Sequence, residues 1–339
     1  MRRTFCVAIV SLVFLAAAGT RGAWMPSPES RSASSAKSAG GRSLPGNQGQ
    51  SGSLVGTWKL VSMEPASGSS NPVGVMMLDP AGYMGLAVMQ SGRQKYAGSE
   101  PTPAEAKSAY ESYRAFFGTY VINQAAGSIT VHLDGSLDPN LTGTDYQSAF
   151  ALSGTRLTLK PRPAATGRQD TLVWERLPDL ETLTPTHRRL IGFWKLVPNE
   201  GEKAPAASSN QDQRRGFIIY TAAGQMAVHI MPGGRAKYAG PEPTQEEAKA
   251  ALRTYTSYFG PYSVNEQDRY LVHHRIGHTI PASIGTNGQR FYEFSGKRLV
   301  LRVLSTTFTV PTTLQAAKTE GREPSMITWE RISADVGSR

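Results

Sequence analysis

The chain contains itself twice. Leu54-Val-Gly-Thr-Trp58-Lys-Leu-Val61 returns as Leu190-Ile-Gly-Phe-Trp194-Lys-Leu-Val197, and residues 93–123 align without a gap to 235–265, with 17 identities in 31 positions. Both copies close alike, on Leu172-Val-Trp174-Glu-Arg176 and on Ile327-Thr-Trp329-Glu-Arg331. Chance does not produce such agreement, so the chain is a tandem duplication with units at 54–178 and 190–332, joined by a short link containing Pro and Thr. Whatever fold one unit adopts, the other shares, and 339 residues suit two domains of ordinary size.

Within a unit the dominant period is that of strands. Short apolar or alternating runs occupy 57–63, 74–79, 83–89, 119–123, 128–133, 146–152, 156–160 and 171–176, separated by turn residues such as Pro80-Ala-Gly82 and Ser153-Gly154. Eight short strands in one small domain point to a barrel that removes its edges by closing on itself. One helix interrupts them. Thr102 and Glu105, and again Thr244 and Glu247, have capping-box spacing. Ala106, Ala109, Tyr110, Tyr113 and Phe117 then read as a helical packing stripe stopped by Gly118, with Ala248, Ala251, Leu252, Tyr255, Phe259 and Gly260 as the second copy. The expected class is all-β: two tandem eight-stranded barrels, each with one inserted α-helix lying on the barrel or plugging one mouth.

The segment before the repeats reads as an address and a tether. Met1-Arg2-Arg3 precedes an apolar run from Phe5 to Ala18 that ends in small residues, the pattern of a secretory signal peptide over residues 1–23. Residues 24–53 are rich in Ser, Gly, Pro and Gln and read as a disordered linker. The single cysteine, Cys6, lies in the apolar run, which excludes a disulfide scaffold and a CxxC redox site. These features imply a secreted or periplasmic protein with no stable membrane span once the signal is removed. The formal charge of +10 is not a nucleic-acid footprint: six basic residues against Glu29 fall in the first 52 positions, and the rest is dispersed, with no run beyond pairs such as Arg188-Arg189 and Arg214-Arg215.

The motifs G-x-W-x-L-V, R-x-K-Y-A-G, T-x-x-E, F-G-x-Y, G-T, S-G-x-R-L and W-E-R, in that order, resemble the lipocalin-like domain family of bacteria and fungi, and the resemblance covers nearly all of 54–332. It implies a β-barrel with a ligand-sized interior and no agreed reaction. Family members tend to carry a His pair after F-G-x-Y and an Arg beyond G-T. Repeat 2 keeps both, as His273-His274 and Arg290, whereas repeat 1 has His132 followed by Leu133, and Ser148 where the arginine would stand. If those groups serve the cavity, the resemblance implies that repeat 2 is the working site and that repeat 1 is either altered in specificity or purely structural.

The candidate ligand-binding residues are Arg235, Tyr238, Tyr262, His273 and Arg290, with Arg93, Tyr96, Tyr120 and His132 as first-copy counterparts. A buried arginine needs a partner, and no acidic residue recurs to supply one inside both barrels. Either the arginines meet an anionic ligand, or Arg93 and Arg235 pair with Glu100 and Glu242 at the rim. Four of six histidines fall in repeat 2, at 229, 273, 274 and 278, without cysteine or carboxylate at ligand spacing, so neither a metal nor a cofactor is expected. His273 and His274, as strand neighbours, face opposite sides. No GxSxG, GxxxxGK[ST], GxGxxG or HExxH motif is present. The leading expectation is an exported binder of a small, largely apolar, anionic or neutral ligand. The alternatives are a cyclase or isomerase using His273, Tyr262 and Arg290, and an envelope interaction module with filled barrels.

Overall fold

The computed structural model describes residues 54–64, 71–162, 170–198, 214–304, 313–319, 321 and 324–332. The signal peptide and linker expected over residues 1–53 lie outside them. The first repeat runs β1 (Gly56–Glu64), β2 (Val73–Leu78), β3 (Tyr83–Met89), α1 (Pro103–Glu111), β4 (Tyr113–Asn123), β5 (Ser128–Ser136), β6 (Asp145–Ser153), β7 (Arg156–Pro161) and β8 (Thr171–Arg176). Each strand pairs antiparallel with the next, and β8 closes on β1. After a link containing α2 (Pro185–Leu190), the second repeat runs β9 (Gly192–Val197), β10 (Arg214–Tyr220), β11 (Gln225–Pro232), α3 (Gln245–Arg253), β12 (Thr256–Asn265), β13 (Tyr270–His274), β14 (Gly277–His278), β15 (Asn287–Ser295), β16 (Arg298–Val303), α4 (Leu314–Thr319) and β17 (Ser325–Arg331). It closes likewise, β17 on β9, with two-residue β14 as an extra pairing on β12. The fold is two closed eight-stranded antiparallel barrels, and α2 and α4 come in addition to the two inserted helices.

Each barrel is sealed where its ends meet. Trp58 Nε1 donates to Leu54 O at 3.0 Å and Trp194 Nε1 to Leu190 O at 2.7 Å. Arg176 then lies over the Trp58 ring and Arg331 over the Trp194 ring, both at 4.2 Å. The opening G-x-W and the closing W-E-R are thus two halves of one cation–π latch.

The helices are shorter than their stripes suggested. Thr102 and Thr244 cap them as expected, each hydroxyl accepting from the backbone N–H three residues on, at 3.2 Å. But α1 ends at Glu111, and Tyr113 already begins β4. Tyr113 and Phe117 are four residues apart, a spacing shared by one helical turn and two strand repeats, and the strand prevails. Their side chains, with Ala115, face out of the barrel.

That outer face explains how the barrels stand together. Strand β2 is buried on both faces, and so is β10 from Gly216 onward. The outward set of repeat 1, including Met77, Met89, Tyr113 and Phe117, forms one buried cluster with Phe193, Phe217, Ile219, Tyr255 and Phe259 of repeat 2. Each such aromatic side chain contributes about 1.5–3 kcal/mol by leaving water. Helix α1 packs on α3 beside this cluster, so the inserted helices lie on each other.

One turn shows where the copies diverge in cost. Gly127 adopts φ 56° between β4 and β5, and Arg269 holds the matching position in repeat 2 at φ 54°. A side chain in the left-handed region costs roughly 1 kcal/mol or more, and glycine does not incur it. Arg269→Gly should raise stability to denaturant by about 0.5–1 kcal/mol, while Gly127→Arg should lower it by a similar amount; equal midpoints for the parent and both variants would contradict this.

Candidate functional site

The interiors of the two barrels differ in chemistry. Barrel 1 holds a recess of about 420 Å3, counted with its opening, walled by Met76, Met84, Leu86, Phe116 and Leu172. Its enclosed part is only about 20 Å3, room for one water. Polar groups stand at Arg114, Tyr146 and Ser148, and Arg114 donates to Asp170 at 2.8 Å, which neutralises its charge.

Barrel 2 carries a polar column. Tyr220 OH lies 2.8 Å from His273 Nε2, and Tyr258 OH lies 3.1 Å from Nδ1, so both ring nitrogens are satisfied by tyrosines. His273 is fully buried, and burial pushes its pKa well below the usual imidazole value, with Arg290 and Arg275 adding to the shift. The neutral ring therefore accepts from one hydroxyl and donates to the other. Tyr262, expected beside His273 as an acid–base partner, turns its hydroxyl to Thr221 O at 3.3 Å, as Tyr120 does to Asp79 O at 2.6 Å in barrel 1. Both are anchors of a hairpin turn.

The remaining sequence candidates separate by place. Arg93 and Arg235 are between the barrels. Arg93 donates to His278 O and to Thr279 O (2.9 Å) of the other repeat, and also to Ala109 O (2.7 Å) and Ser112 Oγ (2.9 Å) of its own. Arg235 mirrors it on Ser136 O and Leu137 O (2.8 Å), with Ala251 O and Thr254 Oγ1. Their donors go to carbonyls and hydroxyls, not to Glu100 and Glu242. Tyr238 also joins the interface: its N–H donates to Asn140 Oδ1 at 2.7 Å and its ring meets Tyr110 edge-on. Tyr96 is half-buried on the β3–α1 connection, outside the barrel. His132 lies on the outer surface, 2.9 Å from Asp145. Strand pairing matches Tyr120 to Val131 and Tyr262 to His273, so the counterpart of His273 is Val131, and His132 corresponds to outward-facing His274. Extending the gapless alignment past Asn123 and Asn265 would have given this register.

Three residues that sequence reasoning passed over matter here: Tyr220, Tyr258 and Arg275. Among the described residues no cluster of three or more His, Cys, Asp or Glu has the geometry to hold a metal.

Interior geometry and repeat agree with one comparison above all. The model of the lipocalin-like domain matches residues 55–177 and again 191–332. The chain belongs to the lipocalin-like domain family. No curated protein matches this tandem lipocalin-like chain. Among solved structures, the REP1-NXSQ fatty acid transporter is 12% identical over 38% of this chain and 99% of its own, with a TM-score of 0.22. A protein of unknown function from Nostoc punctiforme is 10% identical over 83% and 97%, with a TM-score of 0.19. A porin-like protein from Bacteroides uniformis is 10% identical over 81% and 95%, with a TM-score of 0.15. None of these superpositions is close enough to transfer a ligand. Among the described residues, no helix is long and apolar enough to cross a membrane.

Burial of histidine makes the lipocalin-like pair sensitive to acid. His229, on the outer face of β11 inside the inter-barrel cluster, takes Tyr255 OH at 3.0 Å on Nδ1, and burial lowers its pKa to about 3. His278 is lowered to about 3 by burial first and by nearby arginines second. Folded-state values below the unfolded 6.5 mean that the unfolded chain binds more protons between about pH 6.5 and 3. Stability is therefore fully present above 6.5 and falls as pH drops, by about 1.4 kcal/mol per pH unit for each histidine. His229→Gln should flatten the slope of unfolding free energy between pH 6 and 4.5 by about that amount; an unchanged slope would show that His229 does not contribute.

Proposed function

We propose that this protein is exported and that its first barrel binds a small, largely apolar molecule. The observation that carries this reading is the recess of barrel 1, whose walls are aliphatic, methionine and phenylalanine side chains and whose single cation is already paired. Membership of the lipocalin-like family supports it, and so does the basic, then apolar, N-terminal segment. The enclosed space fits only a water as it stands, so a ligand must displace side chains. Met76 and Met84 supply the means, because the thioether chain changes rotamer at little cost. Apolar ligands of this size gain about 25 cal/mol per Å2 of surface removed from water, which needs no specific hydrogen bond.

A neutral fluorophore such as 1-aminoanthracene should bind with enhanced emission. Ser148 is buried at the recess, and Ser148→Phe should fill it and weaken binding at least tenfold, with the thermal midpoint monitored to show that the variant is folded. Unchanged affinity in a folded Ser148→Phe protein would remove barrel 1 as the site. Native mass spectrometry of protein from the exported fraction gives the complementary test: a discrete adduct lost on denaturation is expected, and its absence together with retention of the chain inside the cell would count against the reading.

A further inference from the structure

Four interior positions at one end of the barrels differ in kind between the repeats. Strand register and the gapless alignment place His273, Arg275, Gly288 and Arg290 of repeat 2 where repeat 1 has Val131, Leu133, Tyr146 and Ser148. Repeat 1 is apolar or neutral there. Repeat 2 gains two guanidiniums and loses the one bulky ring that would have excluded them.

Gly288 is the change that makes room. A Cβ at this position would collide with Arg275 Nη2 and stand 3.1 Å from Arg290 Nη1, so both side chains occupy the space above one glycine. Neither is neutralised in the way that Asp170 neutralises Arg114. Arg290 is only 7% exposed and donates to Gln289 O at 2.8 Å, its one hydrogen bond among the described residues. Arg275 gives Nη1 to Thr286 Oγ1 at 2.9 Å and leans on the Tyr258 ring at 5.3 Å, while its Nε is buried without an acceptor. Among the described residues no carboxylate pairs with either. Two adjacent cations, Arg290 buried and Arg275 half-buried, without a counter-charge are costly, and the group that satisfies them best is an oxyanion taken by the planar forks of both.

We propose that repeat 2 contains an oxyanion-binding site in which Arg275 and Arg290, converging above Gly288, take the carboxylate or phosphate group of a small ligand, and that Arg93 of repeat 1 positions this site. The excursion from Arg275 to Thr286 also carries Ile276 and Ile280, which are 48% and 46% exposed, two of the few large apolar side chains left facing water. In this proposal an apolar tail would rest on them and not inside the barrel, where His273, Tyr220 and Tyr258 are joined to one another. The excursion is held from outside its own barrel: Arg93 grips His278 O and Thr279 O, and the His278 ring stacks on Tyr258 at 5.5 Å with planes 8° apart. Arg235 makes the mirror contact on Ser136 and Leu137, where repeat 1 has no cation to position. This site is separate from the recess of barrel 1, and the two are distinguished by their probes.

Calorimetric titration of the full-length protein carrying Ser148→Phe, which closes the barrel 1 recess to octanol, with octanoate, octanol and inorganic phosphate tests both parts. Octanoate should bind at least tenfold more tightly than octanol. Arg290→Met and Gly288→Tyr should each remove that preference, and Arg290→Lys should restore it only in part because the fork is lost. Arg93→Met should weaken octanoate severalfold while Arg235→Met, which disturbs the interface equally, leaves it unchanged. Binding of 1-aminoanthracene, read in parallel on protein that keeps Ser148, should survive Arg290→Met, so that loss of one site is not mistaken for loss of the other or for unfolding. If phosphate matches octanoate and both depend on Arg290, the oxyanion alone is the ligand feature; if only octanoate binds, the tail is required as well. Equal affinity for octanoate and octanol, or octanoate binding unaffected by Arg290→Met, would overturn the site. An effect of Arg290→Met without any effect of Arg93→Met, or equal losses in Arg93→Met and Arg235→Met, would overturn the positioning role.

Discussion

A barrel that is apolar outside as well as inside cannot stand in water alone. Strands β2–β4 and β10–β12 each present such a face, and each covers that of the other copy. Burying Phe117, Phe217, Phe259 and their neighbours against one another turns two closed barrels into one body with a third hydrophobic cluster between them. The arginines of the R-x-K-Y-A-G motif finish that interface. Each ties the end of its own repeat's inserted helix to carbonyls of the other barrel, Arg235 at the end of β5 and Arg93 at β14, so the motif serves assembly.

Duplication also permits division of work. At the pseudo-symmetric heart of the interface, repeat 2 has His229 and Ser257 where repeat 1 has Ala87 and Ala115. Tyr113 OH lies 3.2 Å from Ser257 Oγ and Tyr255 OH lies 3.0 Å from His229 Nδ1, so each repeat's tyrosine ends on a polar group that repeat 2 alone supplies. Two copies of repeat 1 would leave both hydroxyls without these partners, at a cost of about 1–3 kcal/mol for each. The interiors diverge in parallel: a neutral, apolar recess in one barrel, a self-satisfied Tyr–His–Tyr column topped by two cations in the other. On the proposals made above, an apolar ligand suits the first and an oxyanion the second, because a low-dielectric wall rewards a neutral guest and a guanidinium without a carboxylate rewards a charged one.

Much of this was legible in the residues, and the misses share a cause. The eight strands of repeat 1, the capping boxes at Thr102 and Thr244 and the second copy follow from local period and self-similarity, which need no tertiary information. Tyr113 and Phe117 fit a helix in sequence because a spacing of four satisfies either period; the strand prevails because Ser112 ends the helix and β3 offers Tyr113 a ladder. Arg93 and Arg235 read in the sequence either as ligand groups or as rim partners of Glu100 and Glu242, and neither is found, because carbonyls more than 90 residues away carry no residue code. His132 resembles His273 by residue type, yet its counterpart in register is His274. Arg290 was picked out by its absence at Ser148, but Arg275 escaped because the residue opposite it, Leu133, reads as ordinary core. The pair becomes visible only when Gly288 is seen to stand where Tyr146 does.

The central claim is that the shared outer face makes the two barrels a single cooperative unit, on which the geometry of either interior depends. Differential scanning calorimetry of the full-length protein tests it most directly. One transition, with calorimetric and van't Hoff enthalpies in agreement, is the result this account predicts. Two resolved transitions, or a calorimetric enthalpy near twice the van't Hoff value, would mean that each barrel melts by itself and that the interface is too weak to do what is assigned to it here.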